Sequence, residues 1–218
     1  MKILAVEFSS ARRSVAVVQD GLAGPGEAVR AWESSSEAAD QPSRGALGMV
    51  GEALAKARLE REAIECVAVG IGPGSYTGIR AAIALAQGWQ LARGVRLLGI
   101  GSAECLAAQA QAEGLVGRVE VVIDAQRGEF YLAGYEISGG VWRETEPLRL
   151  GTLAQAQERQ SAGCALVGPD TARRFPQGRV VFPSAAMLGR LALGRSDFIS
   201  GEEMQPLYLR PTGFIKQK

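Results

Sequence analysis

One glycine-rich segment has the residue types and spacing of an anion-binding turn. It runs from Gly70 to Arg80 as Gly-Ile-Gly-Pro-Gly-Ser-Tyr-Thr-Gly-Ile-Arg, between an apolar run and an alanine-rich run. Free backbone N–H groups at a helix start attract anions, and Arg80 adds a positive charge one turn further on. No Gly-Lys-Ser/Thr follows, and the last glycine comes one position late for the dinucleotide fingerprint. The segment predicts either a phosphate site or a tight strand-to-helix turn that holds no ligand.

Two acidic residues, Glu7 and Asp124, each follow a short apolar run. In two-lobed nucleotide-binding folds, acids at such strand ends hold the metal ion and water beside the phosphates. The turns that follow here, Phe8-Ser9-Ser10-Ala11 and Ala125-Gln126-Arg127-Gly128, are too poor in glycine to wrap a triphosphate. The two acids therefore indicate either metal-assisted phosphoryl transfer or carboxylates solvated at strand ends.

The absence of histidine excludes several kinds of site. The 218 residues include none, so the chain has no histidine general base, no Ser-His-Asp or Cys-His site, and no histidine-bound metal. Cys66, Cys105 and Cys164 are far apart and form no Cys-x-x-Cys motif, which indicates buried thiols in a reducing cytoplasm. A net charge of +1 gives no general attraction to nucleic acid, and no uncharged apolar run is long enough to span a membrane.

The elements that must position these residues alternate between strands and helices. The apolar runs 3–8 and 14–18 predict a hairpin, 22–32 a third strand, and the polar stretch 33–44 a loop. A helix, a strand at 67–71, a helix at 79–92, a strand at 96–100 and a helix from Ser102 are expected next. This order predicts an α/β fold with a mostly parallel sheet.

The second half of the chain repeats the opening pattern. The run 119–123 ends at Asp124 and precedes a strand at 129–136, as the run ending at Glu7 precedes its partner strand. The two acids lie about half the chain length apart, which favours duplication over a common strand-acid-turn shape. We therefore expect an N-terminal lobe at 1–115 and a C-terminal lobe at 116–218, with later helices at 152–160 and 184–193 and a strand at 164–167.

The helix that follows the glycine-rich segment is dominated by small residues. Alanine and glycine recur three and four positions apart from Gly78 to Ala92. Such spacing lets another helix approach closely, and apolar positions most of the way round the helix predict burial on several sides. The sequence leaves open whether all of these sides face the chain's own core or one of them meets a partner chain.

The residues resemble a known family at four places. The run from Gly72 to Arg80, following Val67-Ala68-Val69-Gly70, is similar to the signature of the TsaB (YeaZ) family. The stretches 3–9, 123–131 and 206–211 agree with that family in order and spacing, so the resemblance covers essentially the whole chain.

The resemblance implies an actin-like/Hsp70-like ATPase (ribonuclease H-like) fold with two lobes, each opening with a β-hairpin. It implies a role in making N6-threonylcarbamoyladenosine next to the anticodon of tRNA. Members of this family are not the catalyst; they bind a TsaD-type catalytic paralogue, with a TsaE-type ATPase in the same complex, and they also self-associate as homodimers. We accordingly expect contact with tRNA through the complex, no cofactor bound by this chain alone, and ATP or ADP only at the level of the complex.

The resemblance also implies two sets of site residues. One is a partner interface formed largely by the helix that starts in the glycine-rich segment and by the helix before it. Its predicted residues are Gly74, Ser75, Tyr76, Thr77, Ile79, Arg80, Ala82, Ile83 and Ala86. The other is a degenerate nucleotide site: Glu7, Ser9 and Asp124.

Two departures from the family pattern bear on chemistry. Members usually read Asp-Thr-Ser where this chain reads Glu7-Phe8-Ser9, and they usually carry His-Ser where this chain reads Pro42-Ser43. Both departures argue against metal or ATP chemistry in this chain and leave the partner-binding interpretation untouched.

The sequence leaves three alternative functions open. One is a small-molecule kinase of the same fold that uses Glu7 and Asp124, and another is a glycopeptidase-like activity, for which the sequence offers no metal site. The third is direct tRNA binding through a local arginine patch, despite the near-neutral net charge. Its residues are Arg12, Arg13, Arg173, Arg174 and Arg179.

Overall fold

The computed structural model describes residues 1–20, 29–37 and 45–209, and its ten strands form two five-stranded sheets. The strands of the first sheet are β1 (Lys2–Glu7), β2 (Arg12–Gln19), β3 (Arg30–Glu37), β4 (Cys66–Gly72) and β5 (Arg96–Gly101). Those of the second are β6 (Gly117–Asp124), β7 (Glu129–Ser138), β8 (Val141–Thr152), β9 (Ala165–Gly168) and β10 (Arg179–Val180). The helices in the described part are α1 (Ala46–Ala57), α2 (Tyr76–Arg93), α3 (Ser102–Ala112), α4 (Leu153–Ser161), α5 (Thr171–Arg174) and α6 (Ala185–Leu193).

The two sheets have the same topology. Their orders are β3-β2-β1-β4-β5 and β8-β7-β6-β9-β10, so the first strand of each set is central. In both sheets the first three strands pair antiparallel and the fourth pairs parallel to the first. This arrangement confirms the actin-like, ribonuclease H-like fold in which each lobe opens with a β-hairpin. The prediction of a mostly parallel sheet is wrong, because the connections within each set of three strands have too few residues for the crossover that a parallel pair needs.

Several elements differ from those that the sequence predicts. The stretch 33–44 was expected to be a loop, yet β3 continues to Glu37 and pairs with β2 along its length. Ser34 in this strand is buried and donates a hydrogen bond to Glu52 Oε2 at 2.7 Å, which satisfies the polar side chain. Strands β8 and β10 and helix α5 were not predicted. The segments at Gly24-Pro25-Gly26 and Pro42-Ser43 lie outside the described residues.

The first sheet is covered on both faces. Along β1, Leu4 and Val6 pack in a core with α1 and α2, while Ile3 and Ala5 pack on the opposite side with α3 and α6. Side chains alternate between the two faces of a strand, so a fully apolar β1 fits a sheet that is buried on both sides. The second sheet packs against α3 on one face and places Phe130 and Phe175 in a smaller core on the other.

Helix α6 and the segment after it return to the first sheet. Gly189 of α6 packs against β1 and β2, and Ile199 bridges to Leu97 of β5. The N–H of Leu207 then donates to the Ile71 carbonyl at 2.8 Å. The division into lobes at residues 115 and 116 stays a proposal, to which we add that α6 and residues 199–207 pack on the first lobe. Among the helices that the structure describes, none combines the length and apolar character needed to cross a bilayer.

Candidate functional site: an inter-lobe cleft and the α1–α2 surface

The glycine-rich turn packs tightly onto the turn between β1 and β2. The Ser75 N–H donates to the Ser9 carbonyl oxygen at 2.7 Å. A Cβ atom at Gly74 would lie 2.1 Å from that same oxygen, and a Cβ atom at Gly78 would lie 2.1 Å from the Phe8 carbonyl oxygen. Gly74 also has a φ of +152°, which residues with a side chain rarely adopt. The chain's own backbone therefore occupies the space that a bound phosphate would need beside these glycines.

Helix α2 starts with its first N–H groups partly engaged. Ser75 is the N-cap residue, and its Oγ accepts a hydrogen bond from the Gly78 N–H at 3.4 Å. Together with the bond from Ser75 to Ser9, this cap leaves fewer free donors for an anion. Of the two interpretations of this segment, the geometry favours the tight strand-to-helix turn.

Glu7, the last residue of β1, is fully buried. Its Oε1 accepts a hydrogen bond from the Ser9 N–H at 2.6 Å, and its Oε2 has no hydrogen-bond partner among the described residues. A Cβ atom at Gly70 would lie 2.0 Å from Oε2, so this glycine provides the room that the carboxyl group occupies. Desolvation raises the pKa of Glu7, and the hydrogen bonds from Ser9 oppose this only in part.

Ser9 and Asp124 both line a cleft between the two lobes, whereas Glu7 does not. The cleft has a volume of about 590 Å³. Asp124 Oδ1 accepts a hydrogen bond from the Gln126 N–H at 2.7 Å. The lining residues come from the β1–β2 turn, the start of α2, the β6–β7 turn, the segment after β9 and the chain near Tyr208: Ser9, Ser10, Ala11, Arg13, Gly74, Ser75, Tyr76, Ile123, Asp124, Ala125, Gln126, Tyr131, Pro169, Asp170 and Tyr208.

These cleft residues do not fit the phosphates of ATP. The Ser9 carbonyl group packs against the glycine-rich turn, and the buried Glu7 does not line the cleft. The opposite wall carries the carboxylates of Asp124 and Asp170, which repel a polyanion unless cations intervene. Among residues 1–20, 29–37 and 45–209, no three acidic or cysteine side chains come together as a metal site.

The predicted partner interface divides into three groups in the structure. Gly74 and Ser75 are partly buried at the end of the turn, while Tyr76, Thr77 and Arg80 are exposed at the beginning of α2. Ile79, Ala82, Ile83 and Ala86 lie instead in the chain's own core against the first sheet. These four side chains have almost no accessible surface in this chain, so their place in a partner interface stays a prediction that their burial does not support. Their apolar character serves the packing of α2 on the sheet.

The exposed face of α2 lies beside α1 and forms a shallow apolar groove of about 600 Å³. Leu91 is 91% exposed and Leu47 of α1 is 67% exposed. A Cβ atom at Gly48, Gly51 or Gly88 would meet nothing within 4 Å, so these glycines leave open space above the helices. The groove is lined by Ala46, Leu47, Arg61, Glu62, Ala84, Leu85, Gly88, Trp89, Ala92 and Arg93. The resemblance implied an interface on these two helices, but none of the nine predicted interface residues lines this groove.

An aromatic pair stands at the rim of the cleft. The rings of Tyr76 and Tyr208 stack with centroids 5.6 Å apart and planes inclined by 26°. The Arg80 guanidinium carbon lies 5.3 Å from the Tyr76 ring centroid, and Nη1 donates to Tyr76 Oη at 3.1 Å. The Tyr76–Tyr208 stack joins the start of α2 to the end of the described chain.

The five arginines of the suggested RNA patch have different surroundings. Arg13 lines the cleft, and Arg173 and Arg174 line a pocket of about 220 Å³ that shares Asp124 and Asp170 with it. Arg12 stacks over the ring of Phe182 at 4.4 Å. Arg179 pairs with Glu113 at 3.6 Å, and Arg173 pairs with Asp170 at 3.7 Å.

A model of the family described as "TsaD: tRNA N6-adenosine threonylcarbamoyltransferase" matches residues 36–199, which is more than half of the chain. The "tRNA threonylcarbamoyladenosine biosynthesis protein TsaB" of Escherichia coli K12 is 28% identical over 227 aligned positions, which cover 96% of this chain and 95% of that protein. The protein of the same name from Haemophilus influenzae is 27% identical over 75% of this chain and 78% of its own length.

Two solved structures from Pseudomonas aeruginosa have the same fold over nearly the whole chain. One, described as YeaZ, superposes with a TM-score of 0.76 at 25% identity and covers 95% of this chain and 99% of its own. The other is described as an uncharacterized protein with similarity to peptidase YEAZ; it superposes with a TM-score of 0.79 at 26% identity, over 96% of this chain and 99% of its own.

Proposed function

Since the chain belongs to the family described as TsaD, tRNA N6-adenosine threonylcarbamoyltransferase, and within it to the TsaB/YeaZ proteins of tRNA threonylcarbamoyladenosine biosynthesis, we propose that it serves this modification as a non-catalytic subunit. It binds and supports a TsaD-type catalytic paralogue, together with a TsaE-type ATPase. The observation that carries the proposal is the exposed, glycine- and alanine-rich surface of α1 and α2.

The surroundings of the acidic residues support a non-catalytic role. Of the two acids at the ends of central strands, Glu7 is fully buried and does not line the cleft, whereas Asp124 does. The sequence has no histidine that could bind a metal ion or act as a general base. The kinase alternative needs both acids beside the phosphates, and the burial of Glu7 gives it no support.

The α1–α2 surface supports close packing against another helix. Glycine inside an exposed helix costs about 0.5–1 kcal/mol relative to alanine, yet nothing in the chain itself requires glycine at 48, 51 or 88, since a Cβ atom there would meet no atom within 4 Å. Small residues are useful where a neighbouring helix backbone approaches closely. Leu91 and Leu47 add the large apolar side chains that anchor such contacts.

We propose that the catalytic paralogue binds to this surface. Because the paralogues of this family share one fold, α1 and α2 can pack against the corresponding helices of the related chain. A homodimer through the same surface is the competing arrangement, in which a second copy shields the groove until the paralogue displaces it. We further propose that tRNA is reached within the complex, that ATP or ADP binds only at the level of the complex, and that the protein works in the cytoplasm.

Reconstitution tests this function. The chain is mixed with the catalytic paralogue, the ATPase, threonylcarbamoyl-adenylate and an unmodified tRNA transcript, and the modified nucleoside is measured with and without the chain. We expect modification to depend on the chain and to remain when Glu7 is replaced by Gln, because no carboxylate here takes part in the transfer. Modification that proceeds equally well without the chain would contradict the supporting role, and its loss in a folded Glu7→Gln variant would contradict the non-catalytic one.

A further inference from the structure

Two exposed tyrosines stack at the rim of the inter-lobe cleft. Tyr76 is 55% exposed and Tyr208 is 38% exposed, and both line the cleft. The chain holds Tyr208 there from both sides, because the Leu207 N–H donates to Ile71 of the first lobe and Leu209 packs into the core of the second. A pair of aromatic rings fixed in this way at the surface is a platform on which another flat ring can stack.

Positive charge lies beside this platform. The Arg80 guanidinium lies over the Tyr76 ring and is itself exposed. Arg13 lines the same cleft, and its Nε is buried without a hydrogen-bond partner among the described residues. A buried donor without an acceptor is costly unless a ligand or water supplies one. A phosphate group is an acceptor suited to both arginines.

The facing wall of the cleft carries acceptors instead of cations. Asp124 and Asp170 lie there, and Asp124 uses Oδ1 for the Gln126 N–H. Carboxylate oxygens accept hydrogen bonds from the exocyclic amino groups of nucleobases. Arg13 lines the cleft with the two carboxylates, and Arg80 lies at its rim beside Tyr76. These charges suit a ligand with one negative charge and amino donors, and they disfavour a triphosphate with about four negative charges.

We infer that this cleft binds one unpaired nucleotide of the substrate RNA. Its base stacks on the Tyr76–Tyr208 pair, its phosphodiester lies near Arg13 and Arg80, and the amino edge of its base faces Asp124 and Asp170. The cleft volume of about 590 Å³ is in the range that holds small ligands. The inference deepens the proposed function and rests on it, since that function makes a tRNA the RNA at hand.

Photo-crosslinking tests the inference in the complete mixture. Unmodified tRNA transcripts with 4-thiouridine in the anticodon loop are irradiated with the full-length chain and the catalytic paralogue, and crosslinked peptides are identified by mass spectrometry. We expect crosslinks to peptides that contain Tyr76 or Tyr208. Replacing either tyrosine by Ala should weaken tRNA binding by the complex roughly 5- to 150-fold, because stacking on one aromatic ring contributes about 1–3 kcal/mol per base. Tyr76→Phe keeps the ring and should bind as wild type does, and Val141→Ala, on exposed β8, is the matched surface control.

The possible outcomes separate this inference from the proposed function. If the wild-type mixture modifies tRNA but no crosslink forms in the cleft, the inference alone is overturned. The same holds if the Tyr76→Ala and Tyr208→Ala variants both bind tRNA as tightly as wild type does. Displacement of the crosslink by micromolar ATP assigns the platform to a free nucleotide and also overturns it. If the wild-type mixture fails to modify tRNA, the proposed function fails, and the crosslink then decides by itself whether RNA occupies the cleft. Co-elution with the paralogue establishes that each variant still assembles.

Discussion

Gly74 and Ser9 lie so close together that a Cβ atom on the glycine would be 2.1 Å from the serine carbonyl oxygen. The same oxygen accepts the Ser75 N–H at 2.7 Å. The two turns that this contact joins are the β1–β2 turn and the turn before α2, and both line the cleft. The glycines that suggest a phosphate site in the sequence therefore serve an approach of backbone to backbone within the chain.

Replacing Gly74 by Ala should destabilise the protein. The substitution places a methyl group against the Ser9 carbonyl at a φ of +152°, so we expect a loss of about 2 kcal/mol or more in the free energy of unfolding. Gly88→Ala is the matched control, because that position is helical and open and should gain roughly 0.5–1 kcal/mol. Urea denaturation measures both. Equal stability of the Gly74→Ala variant and wild type would contradict the close packing.

The fold follows from the sequence where apolar periodicity is strong. Strands β1 and β4 are continuous apolar runs because both sheet faces are covered, and their positions were predicted to within a residue or two. Strand β8 was missed because most of its side chains are exposed or half-buried and follow no apolar pattern. Strand β3 was missed beyond Trp32 because its serines and glutamates are typical of a loop, and only pairing with β2 makes them a strand.

The site was harder to predict than the fold. Sequence spacing put Glu7 and Asp124 in equivalent strand positions, which the repeated topology confirms. It could not show that the Glu7 carboxyl group is buried against Gly70. In the same way, the composition of α2 indicates close helix packing without saying which residues face the sheet. Tyr76 and Tyr208 are far apart in sequence, and no local pattern predicts that they stack.

Glu7→Gln should change how stability depends on pH. Burial raises the pKa of Glu7 above its ordinary value of 4.5, so the folded protein holds this proton more tightly than the unfolded chain does. The stabilisation from the protonated form is complete below pH 4.5 and is lost as the pH rises through the raised folded-state pKa. Between pH 4.5 and the raised folded-state pKa, the free energy of unfolding of wild type should fall by up to about 1.4 kcal/mol per pH unit relative to that of the Gln variant. Urea denaturation from pH 4 to pH 8 measures this, and a difference that stays constant with pH would show that the Glu7 pKa is equal in both states.

Leu91→Asp should weaken binding of the catalytic paralogue without loss of stability. Leu91 is 91% exposed in the chain alone, so an aspartate there is solvated, whereas at a helix contact it carries an unpaired charge into an apolar interface. We expect a loss of about 2 kcal/mol or more, roughly thirty-fold in Kd, by calorimetry. Val141→Asp is the control, since Val141 is 67% exposed on β8 of the other sheet. Equal weakening by both variants would indicate an effect of charge in general.

Ala82 and Ala84 lie two residues apart on α2 and should respond oppositely to enlargement. Ala82 is buried against the first sheet, so Ala82→Leu overpacks the core and should cost about 1–3 kcal/mol in the free energy of unfolding. Ala84 lines the exposed groove, so Ala84→Leu should leave the melting temperature within about 2 °C of wild type and weaken paralogue binding by at least ten-fold. Thermal unfolding and co-elution, measured on both variants, distinguish the two effects. A stable Ala84→Leu variant that binds the paralogue as tightly as wild type would remove this groove from the interface, and only a surface elsewhere could then support the proposed role.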